Sequence, residues 1–426
     1  MSPLKAARIV CGILVCVTLP AMGQKFLPKS IQFKGAPEYS DQELLAAAGL
    51  KKGMVLSYAE MNDHSKQLLD SGVFDTLSFK FDGQDLIFQL TPSTNLLSIR
   101  LENLPLTPGK DLEARLHEKV PLFHGRVPSD GALTEDVRAQ LEAMLSAQGI
   151  KVPVIATPVA DPKQHNKVTA IGFSITSIPV LVGPVHLQGT SLLMAQTAQT
   201  LAKNATGMQF DAANSEESVE RVFETAYEDQ GYAAVTVHAA QAGNAVQSSD
   251  AIRVPFTVNI QEGRIYKIGS VHLPDGSPVT QAEADKILAD HPEAPVDGIR
   301  LRALWSMIAA RYKAKGYLDC RVIPQPSFDQ SSGIANYTVG VEPGPVYHLS
   351  FVKFDNVSDD LRGMLMRNWQ MMPGDVFDES YASSFILRAQ QQDPVLRRSL
   401  VGVKEKISAT TNQQTHEVNL VITLEK

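Results

Sequence analysis

Residues 227–237 read YEDQGYAAVTV, in which a helical stretch ends at Gly231 and a β-branched stretch follows. The same order returns at 312–322, YKAKGYLDCRV, and more loosely at 69–79 and 146–155. A glycine after a helix can adopt the left-handed conformation that other residues avoid, and the apolar residue behind it packs back on the helix. We therefore interpret each of these glycines as a helix cap that turns the chain into a strand.

The capping glycines recur at a nearly constant interval. They are Gly72, Gly149, Gly231 and Gly316, separated by 77, 82 and 85 residues. A proline or glycine behind an alternating strand also recurs, at Pro92, Pro179, Gly263 and Gly344, separated by 87, 84 and 81 residues. Two landmarks that share one period indicate an internal repeat. Five units of roughly 82 residues account for the chain behind its N-terminal segment.

Each unit has the spacing of three strands and two helices. Residues 252–260 alternate between apolar and polar, which is typical of a half-buried strand. Residues 219–227 carry apolar side chains at helical spacing. Capping boxes are predicted at two helix starts, Ser57 with Glu60 and Asn214 with Glu217. The predicted fold class is therefore α+β, a tandem array of five small β-α-α-β-β modules, each a three-stranded sheet covered by two helices.

The N-terminus has the pattern of a cleavable secretory signal. Lys5 and Arg8 precede the apolar stretch 9–20, which is too short to span a bilayer, and small residues follow it. The pattern predicts a signal peptide over residues 1–23; an uncleaved membrane anchor is the alternative. The net charge of −7 argues against a nucleic-acid partner. Cys320 would be the one cysteine left after cleavage, so no internal disulfide is expected.

The repeat resembles the POTRA (polypeptide-transport-associated) domain, which forms the periplasmic array of BamA-type outer-membrane assembly factors. The five POTRA-like units are expected at 25–92, 94–179, 181–262, 264–343 and 345–426. Unit one matches the POTRA pattern nearly throughout, with IQFKG at 31–35 and GVFDTLSF at 72–79. Unit five departs most, because Pro394 stands where the Gly-aromatic cap would be and should end the helix. No C-terminal β-barrel is expected, since the sequence stops directly behind unit five.

The resemblance implies a non-enzymatic scaffold in the periplasm or peripherally at the outer membrane. Such a scaffold would bind outer-membrane protein precursors, or a separate β-barrel subunit, by β-strand augmentation in outer-membrane protein assembly or transport. The binding edges would be the strands behind the second helices, at 74–79, 152–155, 233–238 and 318–323. The expected partner-binding residues are Phe74, Leu77, Phe79, Val235, Val237, Leu318 and Val322. Neighbouring units that cover these edges are the competing interpretation.

Two other functions stay open at this point. POTRA-like modules also occur in secretion and division complexes, so the chain could be an envelope adaptor that docks one dedicated partner. It could also be the vestige of a transporter that lost its barrel. No catalytic motif of the metalloprotease, hydrolase or P-loop type is present, so we expect neither an enzyme nor a cofactor. His117 and His124, seven residues apart, are interpreted as a solvated pair with no metal, and Cys320 as a small apolar residue.

Overall fold

The computed structural model describes residues 25–161, 167–189, 195–288 and 295–425, and the predicted signal peptide lies outside them. Within these residues the fold is α+β, with helices beside several small sheets. Five of these sheets have three or four strands, and one has two. We number the five larger sheets one to five in chain order.

The elements follow the chain in five groups. The group of sheet one is β1 (Lys25–Phe26), β2 (Ser30–Lys34), α1 (Asp41–Ala47), β3 (Leu56–Ser57), α2 (Tyr58–Asp70), β4 (Phe74–Phe81) and β5 (Asp85–Pro92). The group of sheet two is β6 (Leu97–Leu101), α3 (Lys110–Lys119), β7 (Arg126–Val127), α4 (Ala132–Ala147), β8 (Ile155–Ala160) and β9 (Val168–Ser174). The group of sheet three is β10 (Val180–Gln188), α5 (Ala195–Ala205), α6 (Ser215–Glu228), β11 (Thr236–Gln241), β12 (Val246–Gln247) and β13 (Ile252–Gln261).

Two further groups complete the described chain. The group of sheet four is β14 (Lys267–His272), α7 (Gln281–Leu288), α8 (Gly298–Lys313), β15 (Arg321–Asp329) and β16 (Ile334–Glu342). The group of sheet five is β17 (His348–Asp355), α9 (Asp359–Asn368), α10 (Glu379–Gln392), α11 (Pro394–Ser399), β18 (Lys404–Asn412) and β19 (Glu417–Glu425). Sheet four has the expected order of one strand, two helices and two strands. The other groups depart from it: β1 pairs with β3, β7 and β12 are added strands, and α11 is an added helix.

The five larger sheets share one strand arrangement. The last strand of each sheet pairs in parallel with the first. It pairs antiparallel with the strand that follows the helices. The strand that follows the helices therefore lies at a sheet edge in all five cases, as β4, β8, β11, β15 and β18.

The central strands supply much of the core. In β13 the apolar residues Ile252, Val254, Phe256, Val258 and Ile260 are all at most 5% exposed, as their alternation predicts. Buried residues form one continuous cluster through sheets one to three, and separate clusters at sheets four and five. No helix among the described residues is both long and apolar enough to cross a membrane.

The capping interpretation of the glycines is confirmed. Gly72, Gly149, Gly231 and Gly316 have φ of +79°, +86°, +93° and +86°. The Tyr232 N–H donates to the Tyr227 carbonyl at 3.0 Å, and the two rings meet edge to face with centroids 5.6 Å apart. This is the 6→1 hydrogen bond of a Schellman cap, with the aromatic residue folded back on the helix.

Of two predicted helix boundaries, the helix end before Pro394 is confirmed and the capping box at the start of α6 is wrong. Pro394 does end the preceding helix: α10 stops at Gln392, and the Asp393 carboxylate accepts the Val395 N–H at 2.8 Å to start α11. The capping box predicted for Asn214 is wrong, because the Asn214 side chain makes no capping hydrogen bond. The Asp211 carboxylate instead accepts the Asn214 N–H at 3.0 Å. An acceptor three residues earlier in the chain satisfies the donor that the box would have used.

Candidate functional site

Five of the predicted partner-binding residues lie in edge strands. Phe74, Leu77 and Phe79 are in β4, Val237 is in β11 and Val322 is in β15. Their side chains are buried or half-buried on the helix-facing side; Phe74 and Val237 are each 3% exposed. What these strands can offer to a partner is therefore the backbone of the edge.

The structure places the other two predicted residues in turns. Val235 precedes β11 and donates its N–H to the Tyr232 carbonyl at 3.0 Å. Leu318 precedes β15, donates its N–H to the Gly316 carbonyl at 3.0 Å and packs against the core of sheet five. Both fall outside the strands because four residues separate Gly231 from β11 and Gly316 from β15.

The edge of β4 presents free backbone donors. The Asp82 N–H donates to the Asp85 carbonyl at 3.3 Å across the turn to β5. Because hydrogen-bonded pairs alternate along an antiparallel ladder, Phe81, Phe79 and Leu77 direct their N–H and C=O groups away from β5. Within the described residues these N–H groups make no hydrogen bond outside their own sheet. The side chains of Asp75, Ser78 and Lys80 are exposed beside this edge.

The edges of sheets two and three are partly closed by their own helices. The Glu142 carboxylate of α4 accepts the Val154 N–H at 2.8 Å, just before β8. The Glu220 carboxylate of α6 accepts the Ala239 N–H of β11 at 2.9 Å. A carboxylate that takes an edge N–H leaves one donor fewer for an added strand. The predicted edge at 152–155 is also mostly outside the strand, since β8 begins at Ile155.

Prolines interrupt the edge of sheet four. Pro324 and Pro326 lie in β15, opposite Val339 and Tyr337 of β16. A proline has no N–H, and it is tolerated in a strand where that group would point to solvent. The outward side of β15 therefore lacks two successive donors. Pro158 has the same position in β8 of sheet two.

The edge strand β18 was not among the predicted binding edges. β18 of sheet five contains no proline, and its residues are half-buried or exposed throughout. Lys404 and Lys406 provide charges that discourage uncontrolled pairing of an edge. The strong alternation of β19 was the signal that could have predicted a neighbouring strand. The start of β18 was not predicted, because no Gly-aromatic cap precedes it.

Three of the four capping glycines, Gly72, Gly231 and Gly316, also lie at contacts between neighbouring groups. The Gly231 carbonyl accepts the Tyr266 N–H at 2.9 Å, and the Gly316 carbonyl accepts the Tyr347 N–H at 2.9 Å. A Cβ on Gly231 would lie 2.7 Å from the Cβ of Pro295. The glycine is therefore required by close approach of the next group as well as by its positive φ.

A cluster of Glu43, His117 and His124 lies where the helices of sheet one meet those of sheet two. The Glu43 Oε1 atom lies 3.1 Å from the His117 Nε2 atom and 3.2 Å from the His124 Nε2 atom. The two imidazole centroids are 5.0 Å apart. Sequence analysis did not predict a partner for the histidine pair, because Glu43 is 81 residues from His124 and no local pattern joins them.

Cys320 lies in the turn before β15 and is partly buried. Burial raises the pKa of the Cys320 thiol, which keeps it protonated and weakly nucleophilic. This environment agrees with the interpretation of Cys320 as a packing residue.

No family model matches the chain. Similar solved structures include POTRA3-5 of Haemophilus influenzae BamA, 16% identical over 58% of this chain and 96% of that one, with a TM-score of 0.38. The N-terminal domain of Omp85 from Thermosynechococcus elongatus is 16% identical over 58% of this chain and 98% of that one, with a TM-score of 0.19. CdiB from Escherichia coli is 17% identical over 38% of this chain and 28% of that one, with a TM-score of 0.21. The chain resembles POTRA-domain proteins.

Proposed function

We propose that each larger sheet and its helices form one POTRA-like module, giving five modules at 25–92, 94–179, 181–262, 264–343 and 345–426. The shared strand arrangement of the five sheets supports this division. So does the position of the capping glycines, which contact the next group at the ends of modules one, three and four. We refer to these as modules one to five below.

The function we propose is a non-enzymatic scaffold that binds extended chain segments by β-strand addition. The clients would be outer-membrane protein precursors or a separate β-barrel subunit, in outer-membrane protein assembly or transport. The chain would act in the periplasm after export, or peripherally at the outer membrane. The single observation that carries this proposal is the β4 edge, where the outward N–H groups of Leu77, Phe79 and Phe81 have no hydrogen-bond partner among the residues that the structure describes.

The energetics of this edge suit a receptor with many clients. Each backbone hydrogen bond to an added strand would contribute about 1 kcal/mol net. Because main-chain groups make these bonds, the affinity depends little on client sequence. Side chains beside the edge, such as Ser78 and Lys80, can add modest selectivity. A receptor for varied, unfolded strands needs this combination of weak and general contacts.

The second candidate is an envelope adaptor for one dedicated partner. The specific observation in its favour is the inequality of the edges. Helix carboxylates or prolines restrict β8, β11 and β15, which leaves β4 and β18 as the more complete edges. A surface with few usable edges suits a small number of defined contacts better than uniform binding along an array.

Site-specific photo-crosslinking in the native cell would distinguish these functions. A photoreactive amino acid at Ser78 reports on β4, and one at Gln325, between Pro324 and Pro326 in β15, is the matched control. Both side chains are exposed in an edge strand. Adducts are identified by mass spectrometry.

We expect Ser78 to capture many outer-membrane protein precursors and Gln325 to capture few. A single folded envelope protein captured from Ser78 would instead establish the adaptor function. Equal capture from the two positions would contradict strand addition, because the edges differ in their backbone donors. Capture of nothing from Ser78 would overturn the scaffold proposal.

A further inference from the structure

We propose that Glu43, His117 and His124 bind a divalent transition-metal ion of the zinc class, and that this ion joins module one to module two. Glu43 lies on α1 of module one. His117 lies on α3 of module two, and His124 in the turn between α3 and β7. The ligand set therefore exists only while the two modules are in contact.

His117 directs one ring nitrogen at a backbone carbonyl and the other at the Glu43 carboxylate. Its Nδ1 atom lies 3.0 Å from the Phe123 carbonyl oxygen, and its Nε2 atom lies 3.1 Å from Glu43 Oε1. Both partners are acceptors, whereas a neutral imidazole has one N–H. When the Nδ1–H group donates to the Phe123 carbonyl, Nε2 keeps a lone pair beside Glu43 Oε1, and these two atoms can coordinate one metal ion. His124 contributes a second imidazole nitrogen to the same carboxylate oxygen, at 3.2 Å.

The spacing of the three donor atoms fits a metal ion. Zinc binds histidine nitrogen and carboxylate oxygen at about 2.0–2.2 Å, which places tetrahedral ligands about 3.3 Å from one another. The two oxygen–nitrogen distances are 3.1 and 3.2 Å, and all three donor atoms lie within 4.8 Å of one another. Approach of the two imidazole nitrogens to about 3.3 Å would complete the ligand set.

Neighbouring groups hold the ligands in orientation. The Oε2 atom of Glu43 accepts the Ser40 N–H at 2.6 Å, which directs Oε1 at the histidines. The Phe123 carbonyl fixes His117 with Nε2 available, as second-shell carbonyls commonly do for metal-binding histidines. The Tyr39 ring lies against the His124 ring, with centroids 4.8 Å apart. These contacts reduce the freedom that metal binding would otherwise have to remove.

The surroundings give an ion access from solvent. The cluster lines a shallow depression of about 340 Å³ that also contains Lys110 and Glu113. The side chains of His117 and His124 are 43% and 36% exposed. Two histidines and one carboxylate leave a fourth position for water, the ligand set of an open zinc site. Zn²⁺ or Cu²⁺ is favoured over Mg²⁺ and Ca²⁺, which prefer oxygen ligands only.

Calorimetric titration with ZnCl₂ tests the site on residues 24–426 with every affinity tag removed. We expect one Zn²⁺ per chain, with affinity at least about tenfold lower in each of His117→Gln, His124→Gln and Glu43→Gln. The control is His238→Gln. The His238 Nδ1 atom lies 4.0 Å from Glu220 Oε1 on the surface, and no second imidazole joins this pair among the described residues. This variant should bind Zn²⁺ as the wild type does.

The absence of saturable binding in the wild type would overturn the proposal. So would unchanged binding in a His117→Gln/His124→Gln variant. NMR of ¹⁵N-histidine-labelled wild-type protein gives the same test without any substitution. Zn²⁺ should shift the Nε2 resonances of two of the ten histidines, and a different number or broad shifts throughout would contradict the site.

Hydrogen exchange tests the link between the modules. With Zn²⁺ present, exchange should slow in α1 and in residues 110–127, and stay unchanged in module five. An ion that binds without slowing exchange at the junction would retain the site and overturn its joining role.

Discussion

At the scale of single residues, the capping glycines have two requirements that can be separated. Gly231 and Gly149 both have positive φ, at +93° and +86°. A Cβ on Gly231 would meet Pro295 at 2.7 Å and Ile265 at 3.0 Å, whereas a Cβ on Gly149 would meet nothing within 4 Å. The first glycine therefore serves the cap and the junction, and the second serves the cap alone.

Alanine substitution at these two positions should separate the two effects. Gly149→Ala is expected to destabilise its module by about 1–2 kcal/mol through left-handed strain. Gly231→Ala should destabilise the protein by about 1–3 kcal/mol more than Gly149→Ala does, because its methyl group also overpacks the junction. Native-state hydrogen exchange of sheets two to four measures both. Equal losses for the two variants would show that the contact with Pro295 contributes nothing.

Tyr347 makes the junction of modules four and five sensitive to alkaline pH. It is fully buried, and its hydroxyl donates to Asp319 Oδ2 at 2.8 Å. Burial first, and then the Asp319 carboxylate, raise the pKa of Tyr347 to about 12. The unfolded chain has a tyrosine pKa of about 10. The folded state therefore holds this proton more tightly, and the stability it contributes is complete below pH 10 and lost as the pH rises through 12.

The variant Tyr347→Phe should show a smaller loss of stability above pH 10. Near neutral pH it should be less stable than the wild type by about 1 kcal/mol, because the hydrogen bond to Asp319 is missing. Urea unfolding at several pH values between neutral and strongly alkaline measures both effects. If the wild type and the variant lose stability in parallel, Tyr347 is not the responsible group.

At the scale of elements, the alternating strands and capped helices could be predicted because their causes are local. A period of two in 252–260 and a glycine behind a helical stripe are readable in a few residues. The start of each edge strand could not be predicted so well. The turn from Tyr232 to Val235 is fixed by its own hydrogen bonds and by contact of Ala233 and Ala234 with the next core.

The quality of an edge also depends on elements that the edge sequence does not contain. Glu220 of α6 accepts an edge N–H of β11, and no pattern within the sequence of β11 predicts this hydrogen bond. The prolines of β15 are present in the sequence, but their effect on the edge could be judged only from the pairing of β15 with β16. Edge strands are therefore easier to locate from sequence than to rank as binding sites.

Replacing both prolines of β15 should open this edge. In Pro324→Val/Pro326→Val the strand gains two outward N–H groups while valine keeps a strong strand preference. We expect photo-crosslinking from Gln325 to increase severalfold, towards the level from Ser78, with the Ser78 adducts unchanged. Adducts from Gln325 that stay at the wild-type level in the folded variant would show that backbone donors do not govern binding there.

At the scale of the whole molecule, the contacts between modules decide which distant residues meet. The repeat period predicts five modules, but it does not predict that Glu43 faces two histidines far along the chain. That cluster depends on how α1 meets α3, which follows from packing of surfaces far apart in sequence. The same holds for Arg302 of α8, whose guanidinium pairs with the Asp229 carboxylate at the end of α6.

Arg302 should stabilise the contact between modules three and four, and its removal should weaken that contact. Its Nη1 atom also lies 3.7 Å from Glu228 Oε2. Burial raises the pKa of Glu228, and Arg302 opposes that rise. In Arg302→Ala two carboxylates lose their cation, so the hydrogen bond from Tyr266 to Gly231 should open more often.

Hydrogen exchange across residues 264–272 measures this opening. For a partly exposed pair we expect about 1 kcal/mol at most, or roughly fivefold faster exchange in Arg302→Ala. The matched control is Arg253→Ala, which breaks a pair with Asp250 inside module three, at 2.7 Å. Lowering the pH should reduce the effect of Arg302→Ala, since a protonated Glu228 needs no cation. Equal exchange in both variants would mean that backbone contacts alone join the two modules. The ion pairs at the junction would then contribute nothing to its stability.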